Sequence, residues 1–116
     1  MNNSKELVKK IYNAIDDKKA IDIKIIDISG VSIVADYFII ASASNSNQLE
    51  ALEDATDKIM YEQDILPNQI EGGKSSPWIL MDYGDIIVHL FTEEGRDFYD
   101  LERIWRDGVE VSPSEL

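Results

Sequence analysis

A mixed α/β domain, a sheet with helices packed on it, is the fold class that the sequence predicts, and three observations carry it. Helical and strand-like apolar periods alternate along the chain, so helices interrupt the strands. Two apolar runs flank the turn Asp82-Tyr83-Gly84-Asp85, which reads as a β-hairpin. The third is size: 116 residues make one domain, with a single core that buries roughly two-thirds of the unfolded surface.

Asn3 with Glu6 three positions on resembles a capping box, and Leu7, Ile11 and Ile15, with Val8 and Tyr12 beside them, give one apolar face of a helix over residues 4–17. Ile21, Ile23 and Ile25 alternate with Asp22 and Lys24, a half-buried strand. Residues 37–41 are continuously apolar, as expected of a strand covered on both faces. Ser44, Asn45 and Ser46 supply possible N-caps for a second helix. Its expected buried stripe is Leu49, Leu52, Ala55 and Ile59, and it ends near Glu62. After Pro67, Ile70 marks a short strand-like segment, and residues 72–77 are a loop by composition. The hairpin strands follow, 78–81 and 86–91. Thr92 caps a last helix whose apolar stripe is Phe98, Leu101 and Trp105. The domain is expected to span residues 1–111, with 112–116 a frayed tail.

The net charge is −12, and it is uneven: residues 1–60 carry 7 basic and 10 acidic groups, residues 61–116 carry 4 and 13. Such a field repels phosphate backbones and anionic membranes and favours a basic partner, although it also serves solubility alone. No direct nucleic-acid specificity is expected. Cysteine is absent, which removes thiolate catalysis and cysteine-ligated metals. No apolar run reaches the length of a membrane span, so a cytoplasmic location without membrane attachment is expected.

Catalytic patterns are tested one by one. Gly72-Gly73-Lys74-Ser75 ends like a phosphate-binding loop, but Asn68 stands where the first glycine belongs and Pro77 with a strand follows instead of a helix. A nucleotidyltransferase holds metal ions with an Asp-x-Asp pair on one strand face; Asp27, Asp36 and Asp85 do not form one. His89 has no second histidine as co-ligand and lies beside Ile87 by alternation, which suits a hydrogen-bonded structural role. No metal or cofactor is expected. Trp78 begins a strand after a polar loop, where it could cover the sheet or anchor an interface; Asp82 to Asp85 could be only a turn in which Gly84 supplies a positive φ. The residues alone leave both readings open, and they favour binding over catalysis.

Four ordered segments carry a resemblance: Ala35 to Ser42 followed by Ser46 and Gln48; Glu71-Gly72 and Trp78; Asp82 to Phe91; and Arg96 to Arg103 with Trp105. Together they resemble the ribosomal silencing factor family, also called the Iojap or YbeB family, over nearly the whole chain. The resemblance implies a nucleotidyltransferase-like fold without catalytic acids, and a protein that is not an enzyme. It implies binding to the large ribosomal subunit through its ribosomal protein number fourteen, a block on association of the subunits, repression of translation, and a homodimer when free. Matched by motif, partner contact is expected at Trp78, Leu80, Asp82, Tyr83, Gly84 and Asp85. His89, Arg96, Tyr99, Glu102 and Trp105 are expected to support that surface. Asn47 stands where the family usually has Arg, and Ala43 where Gly is usual. The rival reading is a nucleotidyltransferase-type enzyme that retains weak nucleotide or metal binding through Asp27, Asp36 or Asp85.

Overall fold

In this computed structural model the described residues are 4–30, 33, 35–72, 76–99 and 108–116, with backbone alone for 97–99. Helix α1 (Ser4–Asp17) buries Val8, Ile11 and Ile15 completely, with Leu7 and Tyr12 at the margins of the stripe. The expected cap at Asn3 lies outside the described residues. The helix stops at Lys19, which takes the left-handed conformation (φ 67°) while the Ala20 amide donates back to the Ile15 carbonyl.

Strand β1 (Ile21–Asp27) departs from the simple alternation of Ile21, Ile23 and Ile25. Its register against β2 (Tyr37–Ala43) slips between Ile21 and Lys24, and Asp22 takes a positive φ of 51°. Past this bulge Ile25 faces one side of the sheet and Ile26 the other, both buried, while Ile21 is left exposed. Strand β2 is enclosed as its apolar run predicts: Ile39 to Ala43 are all buried.

Helix α2 (Ser46–Glu62) starts at Asn45, whose side chain accepts from the Gln48 amide at 2.8 Å. Gln48 then fastens the helix to its surroundings. Its Oε1 accepts from the Ser44 amide and hydroxyl at 2.7 and 2.8 Å, and its Nε2 donates to the Lys18 and Lys19 carbonyls at 3.2 and 2.8 Å. The expected stripe needs correction: Leu49, Leu52, Thr56 and Met60 are buried, and Ala55 and Ile59 only half-buried. Thr56 is tolerated there because its hydroxyl donates to the Leu52 carbonyl at 2.9 Å.

Strands β3 (Gln69–Glu71), β4 (Trp78–Asp82), β5 (Ile86–Thr92) and β6 (Val109–Val111) complete a six-stranded sheet in the order β3-β4-β5-β2-β1-β6. Among the described residues only β2 and β5 run parallel; the other pairs are antiparallel. Helix α3 (Glu93–Tyr99) follows β5 directly, with the Gly95 amide donating to Thr92 Oγ1 at 3.1 Å. Beyond β6, Pro113–Glu115 form a 3₁₀ turn, and Leu116 packs against the core, where the sequence suggests fraying from 112 onward.

The sheet has two unlike faces. Helices α1 and α2 cover one, enclosing the larger core of Ile25, Ile39, Ile79, Met81, Val88 and Leu90 with the helix stripes. The other carries a smaller cluster of Ile26, Ile28, Ala35, Ile40 and Phe91, against which Phe38, Trp78 and Ile87 are only half-buried.

Candidate functional site

That second face is the candidate site, and strand pairing lays it out in rows. Across the sheet run Gln69, Asp82, Ile87, Phe38, Ile26 and Glu110, and beside them Glu71, Leu80, His89, Ile40 and Lys24. A third row holds Trp78, Phe91 and Ser42. Because side chains alternate, Trp78, Leu80 and Asp82 project together, and all three are half-buried.

Trp78 is more tightly held than an isolated surface anchor. Its indole stacks on Phe91 (centroids 5.3 Å, planes 19° apart), and its Nε1 donates to His89 Nδ1 at 3.2 Å. The neutral imidazole therefore carries its proton on Nε2. Phe38 meets the same imidazole edge-on at 4.8 Å. Burial pulls the His89 pKa down to about 4, so the ring is uncharged near neutrality. This is the structural, hydrogen-bonded histidine that its isolation in the sequence predicts.

The hairpin turn splits the remaining expected contacts. Asp82 Oδ1 accepts from the Gly84 amide at 2.8 Å, and Gly84 takes φ 85°, the conformation expected of that glycine. Tyr83 does not join the face. It turns under α2 into the larger core, and its hydroxyl donates to Asp57 Oδ1 at 3.4 Å. Its phenol is held protonated first by burial and then by the Asp57 charge and hydrogen bond. Asp85 is exposed, and its carbonyl accepts from the Asp36 and Tyr37 amides at 2.8 and 3.1 Å.

Arg96 is buried at one end of the face. Its Nη1 donates to the Asp22 carbonyl at 2.6 Å and to Ser42 Oγ at 3.1 Å, and its Nη2 lies 3.5 Å from the Asp22 carboxylate. It thus ties α3 to the bulge of β1. The side chain of Tyr99, and Glu102 and Trp105 altogether, lie outside the described residues.

The acids of the rival reading gather loosely at the start of β2. Asp27 Oδ1 accepts from the Ser29 amide at 2.9 Å and hydroxyl at 2.6 Å, a turn-forming role. The Tyr37 phenol is raised above its ordinary pKa, first by burial and then by Asp27 and Asp36, which places both acids near that ring. Among the described residues no group of three or more His, Cys, Asp or Glu could hold a metal ion, and no helix is long and apolar enough to cross a membrane.

Phe38 and Ile87 belong to the site and are not among the contacts expected from sequence. The signal is present: strand parity places Ile87 with His89, and the continuous apolar run of β2 conceals that its alternate residues face opposite ways.

The candidate site is thus a partly open apolar surface on a mixed α/β scaffold. The chain belongs to the ribosomal silencing factor family: the family model described as "ribosomal silencing factor during starvation" matches residues 1–116. It is 35% identical over 109 residues to the ribosomal silencing factor RsfS of Halalkalibacterium halodurans, covering 94% of this chain and 93% of that one. It is 41% identical over 105 residues to the RsfS of Zymomonas mobilis, covering 90% and 78%. A crystal structure from Bacillus halodurans superposes with a TM-score of 0.83 at 33% identity, over 93% of this chain and 98% of that chain.

Proposed function

We propose that this protein binds the large ribosomal subunit through its ribosomal protein number fourteen, blocks association of the small and large subunits, and so represses translation. The family match along residues 1–116 carries the reading. The half-buried aromatic face supports it, because a rigid apolar patch rimmed by charge is the composition of a protein-docking surface. Repression is steric: the bound domain fills space that the small subunit must enter. No chemistry or cofactor is required, and the mixed sheet serves as a nucleotidyltransferase-like scaffold without catalytic acids. The strong negative charge attracts a basic ribosomal protein and speeds encounter. The protein acts in the cytoplasm, and when free it pairs as a homodimer.

The test mixes purified subunits in magnesium with excess protein and follows joining by light scattering, with sedimentation of the large subunit alongside. Slowed joining and co-sedimentation are expected. Unchanged joining, with the protein absent from the large-subunit fraction, would falsify the reading.

A further inference from the structure

The second sheet face is indented at its edge. A cleft of about 170 Å³ opens beside β3 and β4, lined by Glu71, Gly72, Ser76, Trp78 and Leu80. Glu71 pairs directly across from Leu80, so its carboxylate stands on the same face, two residues along from the indole. The strand order puts Phe91 on one side of Trp78 and β3 on the other, and Phe91 already stacks on the indole. The cleft therefore lies at the indole's other side. Gly72 lets the two backbones approach at its edge: at φ 90° it passes so near Trp78 that a Cβ there would collide with the Trp78 carbonyl oxygen. Ser76 Oγ is engaged with the Trp78 backbone, donating to the carbonyl at 2.8 Å and accepting from the amide at 3.3 Å. The carboxylate of Glu71, exposed at the rim, is the charged group of the cleft.

An apolar floor, an aromatic wall and a carboxylate at the rim match one kind of side chain. A lysine or arginine lays its methylenes along Leu80 and the indole and sets its cation against both the ring and the acid. We propose that this cleft receives a single Lys or Arg side chain of the docking partner and thereby selects a basic surface over an apolar one. The proposal rests on the docking reading above and names the chemistry of its partner. Residues 61–116 carry 13 acidic against 4 basic groups, so the surrounding field acts in the same sense.

Two measurements on the full chain separate the cleft from the docking reading. In the first, Nα-acetyl-arginine methylamide is titrated while the Trp78 indole N–H resonance is followed by NMR, with the norleucine analogue as the uncharged control. A saturable shift is expected with arginine only, and it should disappear in Glu71→Gln. No shift, or equal shifts with norleucine or in the variant, overturns the proposal whether or not the ribosome is the partner. In the second, sedimentation with large subunits compares the native chain, Glu71→Gln and Glu71→Lys, all three verified as folded by thermal melting. The glutamine variant should bind about threefold to tenfold more weakly and the lysine variant at least about tenfold, as expected for losing one ion pair beside a cation–π contact. Native-like binding by Glu71→Gln overturns the cleft and leaves docking intact, whereas a native chain that fails to sediment overturns docking alone.

Discussion

Acid should destabilise this protein measurably through one imidazole. His89 is 5% exposed, with the rings of Phe38, Trp78 and Phe91 centred 4.8, 5.8 and 6.4 Å away. Burial lowers its pKa from 6.5 to about 4. The unfolded chain takes up a proton near pH 6.5, while the folded chain resists until about pH 4. The stability derived from keeping the ring neutral is therefore complete above pH 6.5 and is lost as the pH falls from 6.5 toward 4. Each pH step of one below 6.5 removes about 1.4 kcal/mol, so the loss by pH 5 is about 2 kcal/mol. Relief of the self-repulsion of a −12 chain acts in the opposite direction over the same range, so the native curve alone mixes two effects. The comparison with His89→Gln isolates the imidazole, because the other charges are shared. Urea denaturation of both proteins between about pH 7.5 and about pH 5 should show the native chain losing about 2 kcal/mol more than the variant. Parallel curves would mean that the ring titrates alike folded and unfolded, and the argument from burial would be refuted.

Two further outcomes are expected. Arg96→Met keeps the bulk but removes the bonds to Asp22 and Ser42, and should cost about 2–3 kcal/mol in chemical denaturation because it leaves the buried Ser42 hydroxyl and the partly buried Asp22 carbonyl without this donor; the same loss for Asp22→Asn, whose side chain is 62% exposed, would show that the carboxylate and not the backbone contact matters. Tyr83→Phe should cost at most about 1 kcal/mol, since its bond to Asp57 is long, and should leave large-subunit sedimentation unchanged, whereas Leu80→Ser on the open face should weaken it; the reverse pattern would move the docking surface to the helix side.

Local signals account for what can be read in advance. The hairpin is legible because two apolar runs flank a turn with glycine at the position that needs φ 85°. The start of α2 is legible from Asn45, whose cap bond spans only three residues. The bulge in β1 is not, because the unusual backbone at Asp22 is held by Arg96, 74 residues later. Strand β6 escapes the sequence because three residues carry no period, and it pairs with a strand more than eighty positions upstream. Thr56 is hidden in the α2 stripe because it is polar, although it falls at the helical spacing between Leu52 and Met60. The side of the sheet that Tyr83 takes is legible. It stands two residues after Met81 and so continues the buried parity of Ile79 and Met81, not that of Trp78 and Leu80.

In the proposed docking, the half-burial of Trp78 would join fold and binding in one residue. A fully exposed indole would lose side-chain freedom on binding, at a cost of about 0.5–1.5 kcal/mol, and would invite self-association in the meantime. A fully buried one would offer a partner nothing. Here the ring is fixed in advance by the stack on Phe91 and the bond to His89, so little ordering remains for the encounter. The same contacts make the face part of the minor core, so its apolar residues have a packing role in a chain that is otherwise so acidic. His89 contributes through its neutrality: a charged imidazole would lose the acceptor that holds the indole N–H. The condition that stabilises the domain is thus also the one that holds the indole in place, and if the proposed docking uses this face, loosening either contact should cost both stability and binding.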